Sequence, residues 1–168
     1  MQASNIDIAV KRLIDTMEGG IADNGHTNFG VEEHLIHFYY PQLDPKDLTI
    51  DQAAVIYHSE FWIPLKCDFL CQNAGFEVAF KVFQWGVHSG NHTVSVALQV
   101  CLNQLSESKL KTDGIIGVNT LSLYLHLTKD APDIRDILLK MLNCQQGCYY
   151  MSLNRPDVIK GWFNKRIS

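Results

Sequence analysis

The stretch that decides the fold runs from residue 5 to residue 20 and reads NIDIAVKRLIDTMEGG. Ile6, Val10, Leu13, Ile14 and Met17 fall at i, i+4, i+7, i+8 and i+11, one apolar stripe of helical period. Ser4 or Asn5 supplies a cap at its start, and Gly19-Gly20 stops it. Glu18 stands last before the glycines. Beyond them lies IADNGHTNFG, residues 21–30, a polar, Gly-punctuated stretch that predicts a tight turn or short hairpin.

Outward from this segment the helical period repeats almost everywhere. Residues 31–39 predict a short helix stopping before Pro41. Thr49-Ile50-Asp51-Gln52 matches a capping box and opens a helix through Trp62, ended by Pro64. Residues 75–89 form a strongly apolar helix closed by Gly90, and Val94, Ala97, Leu98, Cys101, Leu102 and Leu105 carry the stripe onward. The run KTDGIIGVNT predicts a loop, with Asn119 as a cap for residues 120–128. Pro132 suits the first turn of a helix whose stripe is Ile134, Ile137, Leu138, Met141 and Leu142. A last short segment, DVIKGWFNKRIS, follows Pro156. Alternation of period two never persists, so the expected class is mainly α.

Composition narrows the function classes. The 168 residues are 46% hydrophobic and 19% charged, ordinary for a chain that buries a core. Fourteen Lys and Arg against 18 Asp and Glu give a net charge of -4, which argues against a general nucleic-acid binder. No apolar run approaches the roughly 20 residues of a membrane helix, so stable membrane insertion is not expected. The N-terminus lacks the basic start and apolar core of a secretory signal, so synthesis in a cytoplasm is expected.

Cys67, Cys71, Cys101, Cys144 and Cys148 are odd in number, and free buried thiols are expected. Cys67 with Cys71, and Cys144 with Cys148, share an i, i+4 spacing that could gather four thiolates. Structural zinc prefers tighter CxxC knuckles. His34 with His37, and His88 with His92, have helical ligand spacing, yet no carboxylate stands beside either pair in a metal pattern. Solvated or hydrogen-bonded histidines, no metal and no cofactor are therefore expected. GxGxxG, GxxxxGK[ST], HExxH and GxSxG are all absent.

One constellation carries chemistry. A helix C-terminus presents free carbonyls and a partial negative charge, so a carboxylic acid at Glu18 tends to keep its proton. The turn that follows supplies a second carboxylate, Asp23, and a hydroxyl, Thr27. A proton-holding acid facing such groups is what glycosidic cleavage uses: one protonates the leaving oxygen, the other positions water or stabilises the transition state. A solvated glutamate at a helix end, followed by an ordinary turn, reads the same.

MEGG followed by TNFGV resembles the start of the glycoside hydrolase family 108 lysozymes, the N-acetylmuramidases. YHSEFW (57–62), FQWGVHSG (83–90), ALQVCL, TDGIIGVNTL and GWFNKR (161–166) resemble further segments of that family, in the same order over residues 9–166. The resemblance implies a mainly α, lysozyme-like fold that hydrolyses the β-1,4 bond between N-acetylmuramic acid and N-acetylglucosamine. Its parts would be a catalytic part at 1–90 and a peptidoglycan-binding-like part at 91–168 packed on it. Glu18 takes the catalytic acid position, with Asp23 and Thr27 as polar partners. Asn28, Tyr57, Trp62, Gln84 and His88 are the candidate substrate-binding residues. The partner implied is bacterial peptidoglycan, met by a monomeric endolysin-like enzyme of phage or bacterial lysis that leaves the cytoplasm for the periplasm. A scaffold that kept the fold but only binds the wall is the alternative. A cysteine- or histidine-dependent amidase is a third reading, for which the sequence offers no Cys–His pairing. The chain departs from the family in a shorter turn, in Ile21 after the glycines, and in Gln84 and His88 where relatives carry Asp and Asn.

Overall fold

The computed structural model describes residues 4–18, 27–129 and 131–167. The fold is mainly α and lysozyme-like; a two-stranded hairpin is the sole sheet among the described residues. The chain forms two compact units, Met1–Trp62 and Ile63–Ser168. The contacts thus divide the chain well before Gly90. Helix α5 (Phe76–Ser89) packs on α4 (Cys67–Ala74), α6 (Asn91–Gln104) and α8 (Pro132–Ser152), so residues 76–90 fold with the C-terminal unit.

In the N-terminal unit, α1 (Asn5–Leu13) starts on a full capping box between Ser4 and Asp7. The Ser4 hydroxyl first of all holds the Asp7 carboxyl below its usual range. Strands β1 (Thr27–Asn28) and β2 (Val31–Glu32) pair antiparallel and lead into α2 (Glu33–Tyr39). Helix α3 (Ile50–Tyr57) opens on the Thr49–Gln52 capping box expected from sequence. Val10, Leu13, Ile36, Ile56, Tyr57 and Trp62 are buried, and each such side chain contributes about 1.5–3 kcal/mol by leaving water.

In the C-terminal unit α5 is buried nearly all round, from Val78 to Gly86. The loop after α6 leads to α7 (Val118–Thr128), whose N-cap is Gly117 rather than the expected Asn119. Helix α8 runs unbroken through Gly147, where the Phe163 ring of α9 (Ile159–Arg166) lies 3.5 Å from the place a Cβ would occupy. Trp85 is buried and Trp162 half-buried against Tyr150. The thiols divide. Cys67 and Cys101 are buried, but Cys144 and Cys148 are exposed, against the sequence expectation. The cause is the face α8 turns inward, which is Leu138, Leu142, Gln146 and Tyr150.

Candidate active site

Glu18 closes the first helical run. From Ile14 to Glu18 the backbone leaves α geometry for a π turn, which holds one residue more per turn and recurs at functional sites. The Thr16 hydroxyl donates to the Arg12 carbonyl at 2.5 Å, a back-bond that bends a helix end. Asp23 lies outside the described residues.

Thr27 and Asn28 form the first strand of the hairpin. Its two turn residues, Phe29 and Gly30, have φ of 51° and 76°. Positive φ at both central positions is the type I′ requirement; Gly30 meets it without cost, and Phe29 only under constraint. That constraint is visible. The Tyr57 hydroxyl donates to the Phe29 carbonyl at 2.7 Å. The Asn28 amide donates to the Pro45 carbonyl at 2.9 Å and is 3% exposed. Thr27 is half-buried beside it.

YHSEFW explains itself in the same way. After α3 the backbone makes a second π turn, His58–Trp62. Residues five apart on an α-helix point about 140° apart. The extra residue of the π turn brings Tyr57 and Trp62 back to one side, and both are buried, at 1% and 0% exposure. Tyr39 donates to Glu60 on this turn at 2.7 Å, a bond that above all raises the phenol's pKa.

Gln84 and His88 sit one turn apart on α5, in the C-terminal unit. Gln84 is buried, and its Oε1 accepts from Gln146 Nε2 at 3.4 Å. His88 is pushed down to about 3 by burial and then by the Arg166 guanidinium, so its imidazole is neutral. Around them lies a buried polar cluster that sequence reading missed. Lys81 Nζ donates to Gln146 Oε1 at 3.1 Å and to the Arg166 carbonyl at 2.5 Å, and Gln146 Nε2 donates to the Tyr150 hydroxyl at 2.9 Å. The signal was present: a lone lysine inside the apolar run AFKVFQW. The four residues Asn28, Tyr57, Trp62 and Gln84 are thus turned inward. Their geometry is that of supports that hold the hairpin, the π turn and α5 in place.

The remaining motif pair meets at Gln99. Its Nε2 donates to Asp113 Oδ1 at 2.9 Å, to the Ile115 carbonyl at 3.0 Å and to Thr120 Oγ1 at 3.2 Å, while its Oε1 accepts from the Gly114 amide at 3.0 Å. Gly114 has φ of 74°, and a Cβ there would run into the His92 ring. Beside this loop opens a groove of about 590 Å³, edged by Lys111, Val118, Asn119, Ser122 and His126. Among the described residues no three His, Cys, Asp or Glu side chains gather as a metal site. No described helix is long and apolar enough to cross a membrane.

A mainly helical scaffold of the lysozyme-like kind, with Glu18 at the end of the first helical run, is the class this arrangement fits. Residues 12–90 match the family model Glycosyl hydrolase 108, a match that supports the reading of a glycoside hydrolase. The match ends at Gly90, so the family segment and the compact units divide the chain at different places. The whole chain is also similar in fold to Brucella abortus SagA, with a TM-score of 0.73 and 23% identity over 96% of this chain and 90% of that one. No curated protein matches the chain in sequence.

Proposed function

We propose that the protein is an N-acetylmuramidase that cleaves the β-1,4 bond between N-acetylmuramic acid and N-acetylglucosamine in bacterial peptidoglycan. In this reading it reaches the wall in the periplasm after release from the cytoplasm, in bacterial or phage-driven lysis. The observation that carries it is the position of Glu18, last residue of a π turn inside the family segment, with the pinned Thr27–Glu32 hairpin nine residues on.

Glu18 is the general acid that protonates the leaving glycosidic oxygen. Thr27 holds the attacking water through its hydroxyl, and Asp23 supplies the second carboxylate. An inverting enzyme separates its carboxylates by roughly 6.5–9.5 Å and a retaining one by about 5–5.5 Å. If Asp23 is the second group, Asp23→Asn lowers turnover about as much as loss of the acid, with little effect on binding. A mild Asp23→Asn beside a severe Thr27→Val assigns the water to Thr27 alone.

The test is clearing of permeabilised Gram-negative cells, with mass spectrometry of what is released. A muramidase leaves reducing N-acetylmuramic acid ends. Free peptide stems with intact glycan strands would mean an amidase instead, and binding without release would mean a wall-binding scaffold.

A further inference from the structure

Helix α8 has two apolar faces, and the core uses one. Opposite Leu138, Leu142, Gln146 and Tyr150 runs a second stripe, Met141, Cys144, Cys148 and Met151. Its spacing is 3, 4, 3, the heptad period of helices that pack along one another. Cys144 and Cys148 are exposed, Met151 is 57% exposed, and Ile137, one turn earlier, is 38% exposed. The stripe is also a palindrome. Met-Cys-Cys-Met at 3, 4, 3 reads the same from either end.

We propose that this face is the contact surface for a second copy of the chain, the two α8 helices crossing antiparallel about a two-fold axis between Cys144 and Cys148. A two-fold contact is self-complementary: if residue i meets residue j of the other copy, j meets i. Under that symmetry the palindrome sets like residue types opposite each other. Met141 of one copy faces Met151 of the other, and Cys144 faces Cys148.

Two further features fit the antiparallel sense. Past Met151 the stripe opens into a groove of about 430 Å³ formed with Ile159, Lys160 and Phe163 of α9. The antiparallel register brings Ile137 of the other copy to this groove. Asp133 and Asp136 are exposed at the start of α8, and Lys160 is exposed beyond its end. Antiparallel packing sets acid beside base, whereas parallel packing would set like beside like. The seam is a few turns long, smaller than the surface of a permanent dimer, so the association is reversible. On this proposal the chain pairs, where a monomer was expected from sequence.

The exposed thiols make the register readable. Cβ atoms at i, i+4 on a helix lie about 5–6 Å apart, and a disulfide needs about 3.5–4.5 Å, so Cys144 and Cys148 of one chain do not close on each other. Across the axis they do. Burial pushes Cys71 to about 11 and Cys101 to about 12, which holds their protons and keeps them out of exchange.

The experiment uses the full reduced chain. Light scattering during size exclusion should give a mass rising from one chain toward two as concentration climbs through the micromolar range. Diamide, an azo oxidant, then takes two electrons and two protons from each facing thiol pair and becomes the hydrazine, leaving a disulfide. Peptide mapping should find Cys144 of one chain joined to Cys148 of the other. Cys144→Ser alone and Cys148→Ser alone should each drop cross-linked dimer to background, because each removes one member of both pairs. Mixing the two variants should restore one bond. Met151→Glu should hold the mass at one chain with its helical circular dichroism unchanged. A mass of one chain at every concentration would overturn the proposal. So would Cys144–Cys144 or Cys148–Cys148 links, a Cys101–Cys144 bond within one chain, or no restoration on mixing.

Discussion

The hairpin at Thr27–Glu32 and the loop at Asp113–Gly117 solve one problem by different means. Each is a turn that takes positive φ, at Phe29 and Gly30 in the first and at Gly114 in the second. Each is pinned by one side chain from a helix. The hairpin's turn takes a bond from the Tyr57 hydroxyl, and the Asn28 amide of its first strand donates to the Pro45, Lys46 and Leu48 carbonyls. The loop is held by four bonds to the two polar atoms of a buried glutamine. In the proposed function the hairpin, the first described segment after Glu18 in sequence, serves the chemistry, and the loop in the C-terminal unit serves stability.

The comparison breaks most sharply at Gln99. Gln99→Leu strands the Gly114 amide and removes the bonds to Asp113, the Ile115 carbonyl and Thr120, and should cost about 3 kcal/mol of stability in urea unfolding. The Gln99 amide is the first cause that holds the Asp113 carboxyl below its usual range, so Asp113 should titrate higher in this variant by NMR. Where the variant is fully folded, lytic activity should stay at the wild-type level.

His88 gives the next effect. Folded His88 refuses the proton that the unfolded chain takes up near 6.5. Stability is therefore whole above pH 6.5 and falls as pH drops below it, by ~1.4 kcal/mol per pH unit until about pH 3. Between pH 6.5 and 5 that is about 2 kcal/mol, and His88→Gln should remove this part of the slope. An unchanged slope in the variant would mean that the imidazole titrates freely in the fold. The smallest stability effect belongs to the hairpin. Tyr57→Phe removes one hydrogen bond and should cost about 1 kcal/mol, while the clearing rate falls more than that loss of folded protein explains. Equal losses of stability and rate would place the hairpin with the loop as scaffold.

What sequence carried well was local. Ser4, Thr49 with Gln52, and Pro132 start helices where their short-range chemistry says, and the order of helices follows from the 3.6 period. The two π turns were invisible, because an inserted residue leaves the apolar stripe looking α-helical. Which way a side chain faces was the larger gap. Tyr57 and Trp62 carry the residue types of a sugar platform, yet both are buried, and Cys144 and Cys148 carry the type of a core residue, yet both are exposed. Facing depends on what packs against a helix from far along the chain. The motif segments become intelligible once paired: TNFGV with YHSEFW through Tyr57, FQWGVHSG with GWFNKR beside Lys81, and ALQ with TDGIIGVNTL through Gln99.

The central claim, that Glu18 is the acid, is tested most directly by Glu18→Gln. The exchange keeps size and polarity and removes the transferable proton. Clearing of permeabilised cells should slow by roughly 100- to 10,000-fold, with the unfolding transition unmoved. A variant that clears cells within a few-fold of wild type would contradict the account, since the proton would then come from another residue.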